Sequence, residues 1–99
     1  RAWGPSLSQL GVTDVLADPK IALYSLANAG SPIQLSSNQG WSSTPAVLTA
    51  SSDVGATAWA AGTKDSALLV TLAPGSYTAQ VSGAAGDSGV SLLEIDDVP

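Results

Sequence analysis

Apolar residues at every second position, interrupted at short intervals by Gly and Pro, constrain this chain more than any other feature. They ask for short strands joined by tight turns. The clearest stretch is Ser76-Tyr77-Thr78-Ala79-Gln80-Val81-Ser82, with Tyr77, Ala79 and Val81 on one face and Ser, Thr and Gln on the other. It follows Ala73-Pro74-Gly75, where a Pro-Gly pair presets a reversal of the chain. Upstream, Ser66-Ala67-Leu68-Leu69-Val70-Thr71-Leu72 is a near-continuous apolar run of strand length, as expected of a strand buried on both faces. Downstream, Gly89-Val90-Ser91-Leu92-Leu93-Glu94-Ile95 is another, joined through the loop Gly83-Ala84-Ala85-Gly86-Asp87-Ser88. Short turns between three such runs predict an antiparallel meander.

The first half is less regular. Lys20-Ile21-Ala22-Leu23-Tyr24-Ser25 and Ser31-Pro32-Ile33-Gln34-Leu35-Ser36 both alternate, with Asn28-Ala29-Gly30 as the turn between them. Asp18-Pro19 stands where proline is tolerated, at a strand entrance. Residues 37–52 are rich in Ser, Thr and Asn and read as a long surface connection, in which Pro45-Ala46-Val47-Leu48 suits one helical turn and Ser52 or Asp53 the cap of another short one. Residues 54–61 suit strand or helix equally. Arg1-Ala2-Trp3 reads as the end of something extended, followed by Gly4-Pro5 and a loop carrying Leu7, Leu10, Val12 and Leu16.

These elements predict an all-β chain: an antiparallel β-sandwich of jelly-roll type with at most one or two short helical turns. No repeat of 20–50 residues shows, so the 99 residues are expected to form one domain. Residues 1–18 would be an N-terminal strand remnant and loop, and 96–99 a C-terminal linker.

Composition narrows the chemistry. Charged residues make up 11% of the chain, against roughly 25% in ordinary soluble domains. The surface must then be built from Ser, Thr, Gln, Asn, Gly and Ala, which suits a chain that lives beside copies of itself or other domains. Arg1, Lys20 and Lys64 are the only cations, and the net charge is −5. Nucleic acid and anionic membrane surfaces are therefore poor partners. No run approaches the roughly 20 apolar residues of a membrane-spanning helix. The chain opens at Arg1 without a methionine, which reads as a processed or excised piece.

Without His or Cys, a Ser-His-Asp arrangement, imidazole or thiolate metal sites, disulfides and cysteine nucleophiles are all impossible. A Ser66–Lys64 dyad exists on paper, but Lys64-Asp65 reads more simply as the charged tip of a turn. Glu94 and Asp96 share one face of an extended strand, with Asp97 beside them, yet no aromatic or basic residues surround them to hold a sugar. No catalytic residue and no cofactor are expected. Calcium takes carboxylate and carbonyl oxygens at loop tips, and Asp14, Asp18, Asn28, Asp87, Glu94, Asp96 and Asp97 lie in or near loops. None of these follows an EF-hand or nonapeptide pattern, and Asp and Asn in turns also satisfy local amides.

An exposed indole can stack on a pyranose ring, and Trp41, in a polar loop beside Asn38 and Gln39, is the candidate for that role. The competing reading folds Trp41 back over one end of the sandwich. Trp3 and Trp59 stand among small apolar residues and look like core or lid positions.

The residues also carry a resemblance. Arg1-Ala2-Trp3-Gly4-Pro5-Ser6-Leu7, Gly11-Val12-Thr13, Leu16-Ala17-Asp18-Pro19 and Ile21-Ala22-Leu23-Tyr24 come first. Val54-Gly55-Ala56, then Gly62-Thr63-Lys64-Asp65-Ser66-Ala67-Leu68-Leu69-Val70-Thr71-Leu72, Pro74-Gly75-Ser76-Tyr77-Thr78-Ala79-Gln80-Val81-Ser82-Gly83 and Gly89-Val90-Ser91-Leu92-Leu93-Glu94-Ile95 follow in the same order. Together they resemble a β-sandwich repeat module of large secreted or surface proteins of environmental bacteria, and more distantly the bacterial pre-peptidase C-terminal domain. The resemblance implies secretion, a multidomain or repetitive parent and no catalytic residues. Two departures stand out. The family often has acidic residues before the tryptophan, where this chain has Ser37-Asn38-Gln39-Gly40-Trp41, and its members usually carry further strands upstream, so that this chain starts inside a strand.

A sandwich short of one strand would expose a sheet edge, a template for another chain's strand. The functional expectation is a non-catalytic structural or assembly module of a secreted or cell-surface bacterial protein, with head-to-tail fibres built through such edges. Its partners would be copies of itself or neighbouring domains. The alternative is a carbohydrate- or protein-binding adhesion module using Trp41, Asn38 and Gln39, or an accessory domain of a secreted hydrolase.

Overall fold

A computed structural model describes residues 1–28, 30–41 and 45–99. In chain order the elements are β1 (Ala2–Trp3), a 3-10 helix (Pro5–Leu10), β2 (Pro19–Ser25), β3 (Ile33–Gln39), α1 (Pro45–Asp53), β4 (Tyr77–Gly83) and β5 (Leu92–Leu93). The chain is strand-rich, with two antiparallel sheets and few helices. Among the described residues, no helix is long and apolar enough to cross a membrane.

The larger sheet has the order β3-β2-β4. Its register sets Ile21 beside Val81 and Leu23 beside Ala79, so the alternations of β2 and β4 coincide on one apolar face. Lys20, Gln80 and Ser82 fall on the other face and are exposed. On the opposite side of β2, Ile21 faces Asn38 and Leu23 faces Ser36, with a bulge between Leu23 and Tyr24. β3 therefore continues through Gln39, three residues beyond the expected end at Ser36. The turn expected at residues 28–30 includes Ala29, which lies outside the described residues; Ser31 N donates to Asn28 O across it at 3.0 Å.

The expected meander of 66–72, 76–82 and 89–95 does not form. β4 pairs with β2 instead, because two alternating strands can each present an apolar face in register, and a uniformly apolar run has no face to match. Ser66 contributes a single bridge to Ala2, and among the described residues 67–72 pair with no strand. Of the run 89–95, Leu92 and Leu93 pair with β1 (Ala2↔Leu93, Trp3↔Leu92), and Val90 bridges Val15 in parallel.

α1 is one continuous helix of nine residues, where one turn at 45–48 and a separate short one capped by Ser52 or Asp53 were expected. It ends in a Schellman arrangement: Gly55, in left-handed conformation at φ 67°, donates to Ser52 O at 3.1 Å, and Ala56 N to Ser51 O at 2.9 Å. The loop expected after Gly4-Pro5 is a 3-10 helix of six residues, started by Pro5. Gly4 passes so close to the start of β2 that a Cβ there would collide with the Leu16 carbonyl and lie 2.8 Å from Pro19 Cδ.

The core is built on three tryptophans with Leu7, Val47 and Ala67, and Val12 and Val15 pack against its margin. Trp59 is central. It meets Trp3 edge-on at 5.5 Å and 86°, and Trp41 at 5.4 Å and 82°. Such perpendicular pairs contribute about 1 kcal/mol each beyond the area they bury.

Candidate functional site

Beneath the tryptophans lies a polar knot centred on Asp65, which is fully buried. Its Oδ1 accepts the amides of Gly4 (2.7 Å) and Ser6 (3.1 Å), at the start of the 3-10 helix. Its Oδ2 accepts the hydroxyls of Ser6 and Thr63, both at 2.5 Å. Thr63 Oγ1 in turn accepts the Trp41 indole N–H at 3.0 Å. Burial is the strongest influence on this carboxyl and pushes its pKa up. The two hydroxyls and two amides together outweigh burial and hold the pKa below its ordinary value of 3.8. Asp65 is thus the opposite of the exposed turn tip that Lys64-Asp65 suggests. Four donors aimed at one carboxylate explain why a charge is tolerated there.

A second cluster closes the other side of the tryptophans. Arg1 stacks its guanidinium over Trp59 at 4.0 Å and lies 5.4 Å from the Trp3 ring. The same guanidinium donates to Thr57 O at 2.8 Å, and Arg1 Nε lies 3.5 Å from Glu94 Oε2. Glu94 Oε1 accepts the Trp3 indole N–H at 2.9 Å. The backbone ladder continues across the pair, with Glu94 N donating to Arg1 O at 2.8 Å. The two clusters tie residues 1–6, 41, 57, 63–65 and 94 together around the three tryptophans.

The three residues singled out for ligand binding are dispersed. Trp41 is buried in the core, the fold-back arrangement. Asn38 Nδ2 donates to Gly40 O (3.0 Å) and Ala67 O (2.9 Å), holding the start of the 67–72 segment against β3. Gln39, one residue on, points to the other face of the strand, where Nε2 donates to Asp18 Oδ2 at 3.1 Å. Ser66, half of the paper dyad, is buried and donates its hydroxyl to Asn38 O at 2.7 Å. The acids in loops also stay apart. Asp87 accepts the amides of Asp18 (3.0 Å) and Ala85 (3.3 Å), and among the described residues no three acids gather round a common point.

What the structure leaves open is a groove of about 650 Å³ that single-segment reading of the sequence missed. Its floor is the apolar face of the large sheet, at Ile21, Leu23 and Ala79. One wall is α1, through Val47 and Ala50, and the other is the segment 68–72. Leu69, Val70 and Leu72 in that wall are exposed, as is Ile95 at the rim. Among the described residues, no backbone hydrogen bond engages 68–72. Glu94, Asp96 and Asp97 also line the groove, against the single cation Arg1.

Among the described residues β3 and β4 each pair with no strand but β2, and the β3 flank is covered only at its Asn38–Gly40 end, where Ser66 and Ala67 hydrogen-bond to it. Neither strand carries a charged residue. Ile33 and Leu35 on β3 are exposed. Charged side chains are the usual guard of a sheet edge against pairing with another chain. Both flanks here lack them.

No protein-family model, curated protein or solved structure matches this chain.

Proposed function

We propose that this chain is a non-catalytic structural module of β-sandwich type, of a secreted or cell-surface bacterial protein, that assembles through the edges of its large sheet. The observation that supports this reading best is the pair of uncharged, unpaired flanks on one three-stranded sheet. A β3 edge meeting the β4 edge of the next copy extends the sheet and leaves a free edge at each end. Such a head-to-tail contact does not close, and it generates fibres. A surface with few charges lets copies approach without strong mutual repulsion. The composition and the resemblance to secreted repeat modules favour the extracellular setting.

Sedimentation velocity over a hundredfold range of concentration tests this. The chain is expected to associate as concentration rises. Leu35→Lys, a charge on the exposed part of β3, should abolish association, and Ser52→Lys on exposed α1 should leave it intact. A chain that stays monomeric throughout, or one that assembles equally well with Leu35→Lys, overturns the reading.

A further inference from the structure

The groove over the sheet is separate from the two edges, and its walls have a chemistry of their own. We infer that it is a docking site for one extended strand of a partner protein, with alternating apolar residues and a basic residue at its end. Three independent features carry this. The floor and walls are apolar, and 650 Å³ is space for a short row of side chains. The wall formed by 68–72 makes no backbone hydrogen bond among the described residues, so an incoming strand gains main-chain hydrogen bonds as well as burial. Five residues drawn into a strand by a partner would offer roughly 17 Å of ladder at about 3.3 Å each.

Charge selects the occupant. Glu94, Asp96 and Asp97 line the groove with Arg1 as the one cation, and that cation is already held by Glu94 and the Trp59 ring. Asp96 and Asp97 have no ion-pair partner among the described residues. A strand ending in Lys or Arg neutralises them, and one ending in acid is repelled. A second copy of this chain has no such strand to give. Its cations are Arg1, Lys20 and Lys64. Lys20 lies on β2, which is paired on both sides, Arg1 is fastened to Glu94, and Lys64 sits outside any strand beside buried Asp65.

The test uses the full chain carrying Leu35→Lys, so that edge assembly does not interfere. The probe is a fluorescently labelled nine-residue peptide of alternating valine and threonine with lysine at both ends. Fluorescence anisotropy should show saturable binding that weakens with salt, and at least tenfold weaker binding when glutamate replaces the lysines. Amide exchange should slow at 68–72 on binding. Val70→Arg, at an exposed wall position, should abolish binding while the circular dichroism spectrum is unchanged. The double change Asp96→Asn with Asp97→Asn should remove most of the lysine preference. Absence of binding, equal binding of the glutamate peptide, or protection confined to β3 or β4 would each overturn the inference. So would self-association of the Leu35→Lys chain that excess peptide reverses, which would make the occupant a second copy.

Discussion

Asp65 accepts the backbone amide of Gly4 at 2.7 Å, across 61 positions of sequence. That bond ties the β1 end of the chain to the segment leading into the groove wall, and it belongs to a set in which every acceptor site on the carboxylate is used. Asp65→Ala leaves two buried amides and two hydroxyls without their acceptor. An unsatisfied buried donor costs about 1–3 kcal/mol, so the whole change is expected to cost about 3–4 kcal/mol. Asp65→Asn should cost less than half as much. Its Oδ1 still meets both amides, and the Ser6 and Thr63 hydroxyls can rotate to accept from the new NH2. Urea denaturation of the three proteins at neutral pH measures both differences. Equal losses for the two variants would mean that the charge, not the hydrogen-bond geometry, holds the knot.

The same carboxyl makes stability depend on acid. Its folded pKa lies below the ordinary 3.8, so the unfolded chain takes up the proton first. The contribution is fully present above the ordinary carboxylate range, and it is lost as pH falls through that value towards the lower, folded one. The urea midpoint is expected to be flat from pH 7 to about 5 for this group and to drop below about pH 4. Asp87 is also held below its ordinary value. Its partial burial pushes up, and the amides of Asp18, Asp87, Ala85 and Ala17 more than compensate. The contribution of Asp65 is isolated by comparison with Asp65→Asn. The gap between the two midpoints should narrow as pH falls from 5 to 2.5, and a constant gap would rule out the carboxyl as its source.

Local periodicity was a good guide wherever one segment decided its own fate. Tyr77, Ala79 and Val81 do share a face, Arg1-Ala2-Trp3 is extended into β1, and Trp3 and Trp59 are in the core. What failed needed a partner to be known. The run 66–72 has strand composition, yet beyond the single Ser66–Ala2 bridge it pairs with no strand among the described residues, because nothing within 66–72 says which edge would receive it. Lys64-Asp65 looks like a surface turn until Gly4, Ser6 and Thr63 are brought to Asp65 by distant parts of the chain. Asn38 and Gln39 are neighbours in sequence, and strand alternation alone separates them onto two faces. One signal was available locally: Pro45 at the start and Gly55 just past the end frame a helix of the length observed. The groove was the least legible feature. It joins the 20s, α1, 68–72 and the 90s, and it exists only where those four segments fail to fill the space between them.

Gly4 offers the sharpest test of how tightly these segments meet. Its missing Cβ is what lets the turn into the 3-10 helix lie against Leu16 and Pro19, and the nearest obstacle is a backbone carbonyl that no rotamer change can move. Gly4→Ala must therefore separate the β1 end from the start of β2, stretching the Gly4–Asp65 hydrogen bond as it does so. Overpacking of this kind costs about 1–3 kcal/mol, and the lost hydrogen bond to a charged acceptor adds about 1.5–3. Gly55→Ala is the control. It has open space around it but a left-handed backbone, so it should cost only about 1 kcal/mol. For a chain of 99 residues, each kcal/mol lowers the melting temperature by about 4–8 °C. Thermal melts followed by circular dichroism should then place Gly4→Ala at least about 6 °C below Gly55→Ala. If the two variants melt together, the close approach at Leu16 is not a constraint on the fold.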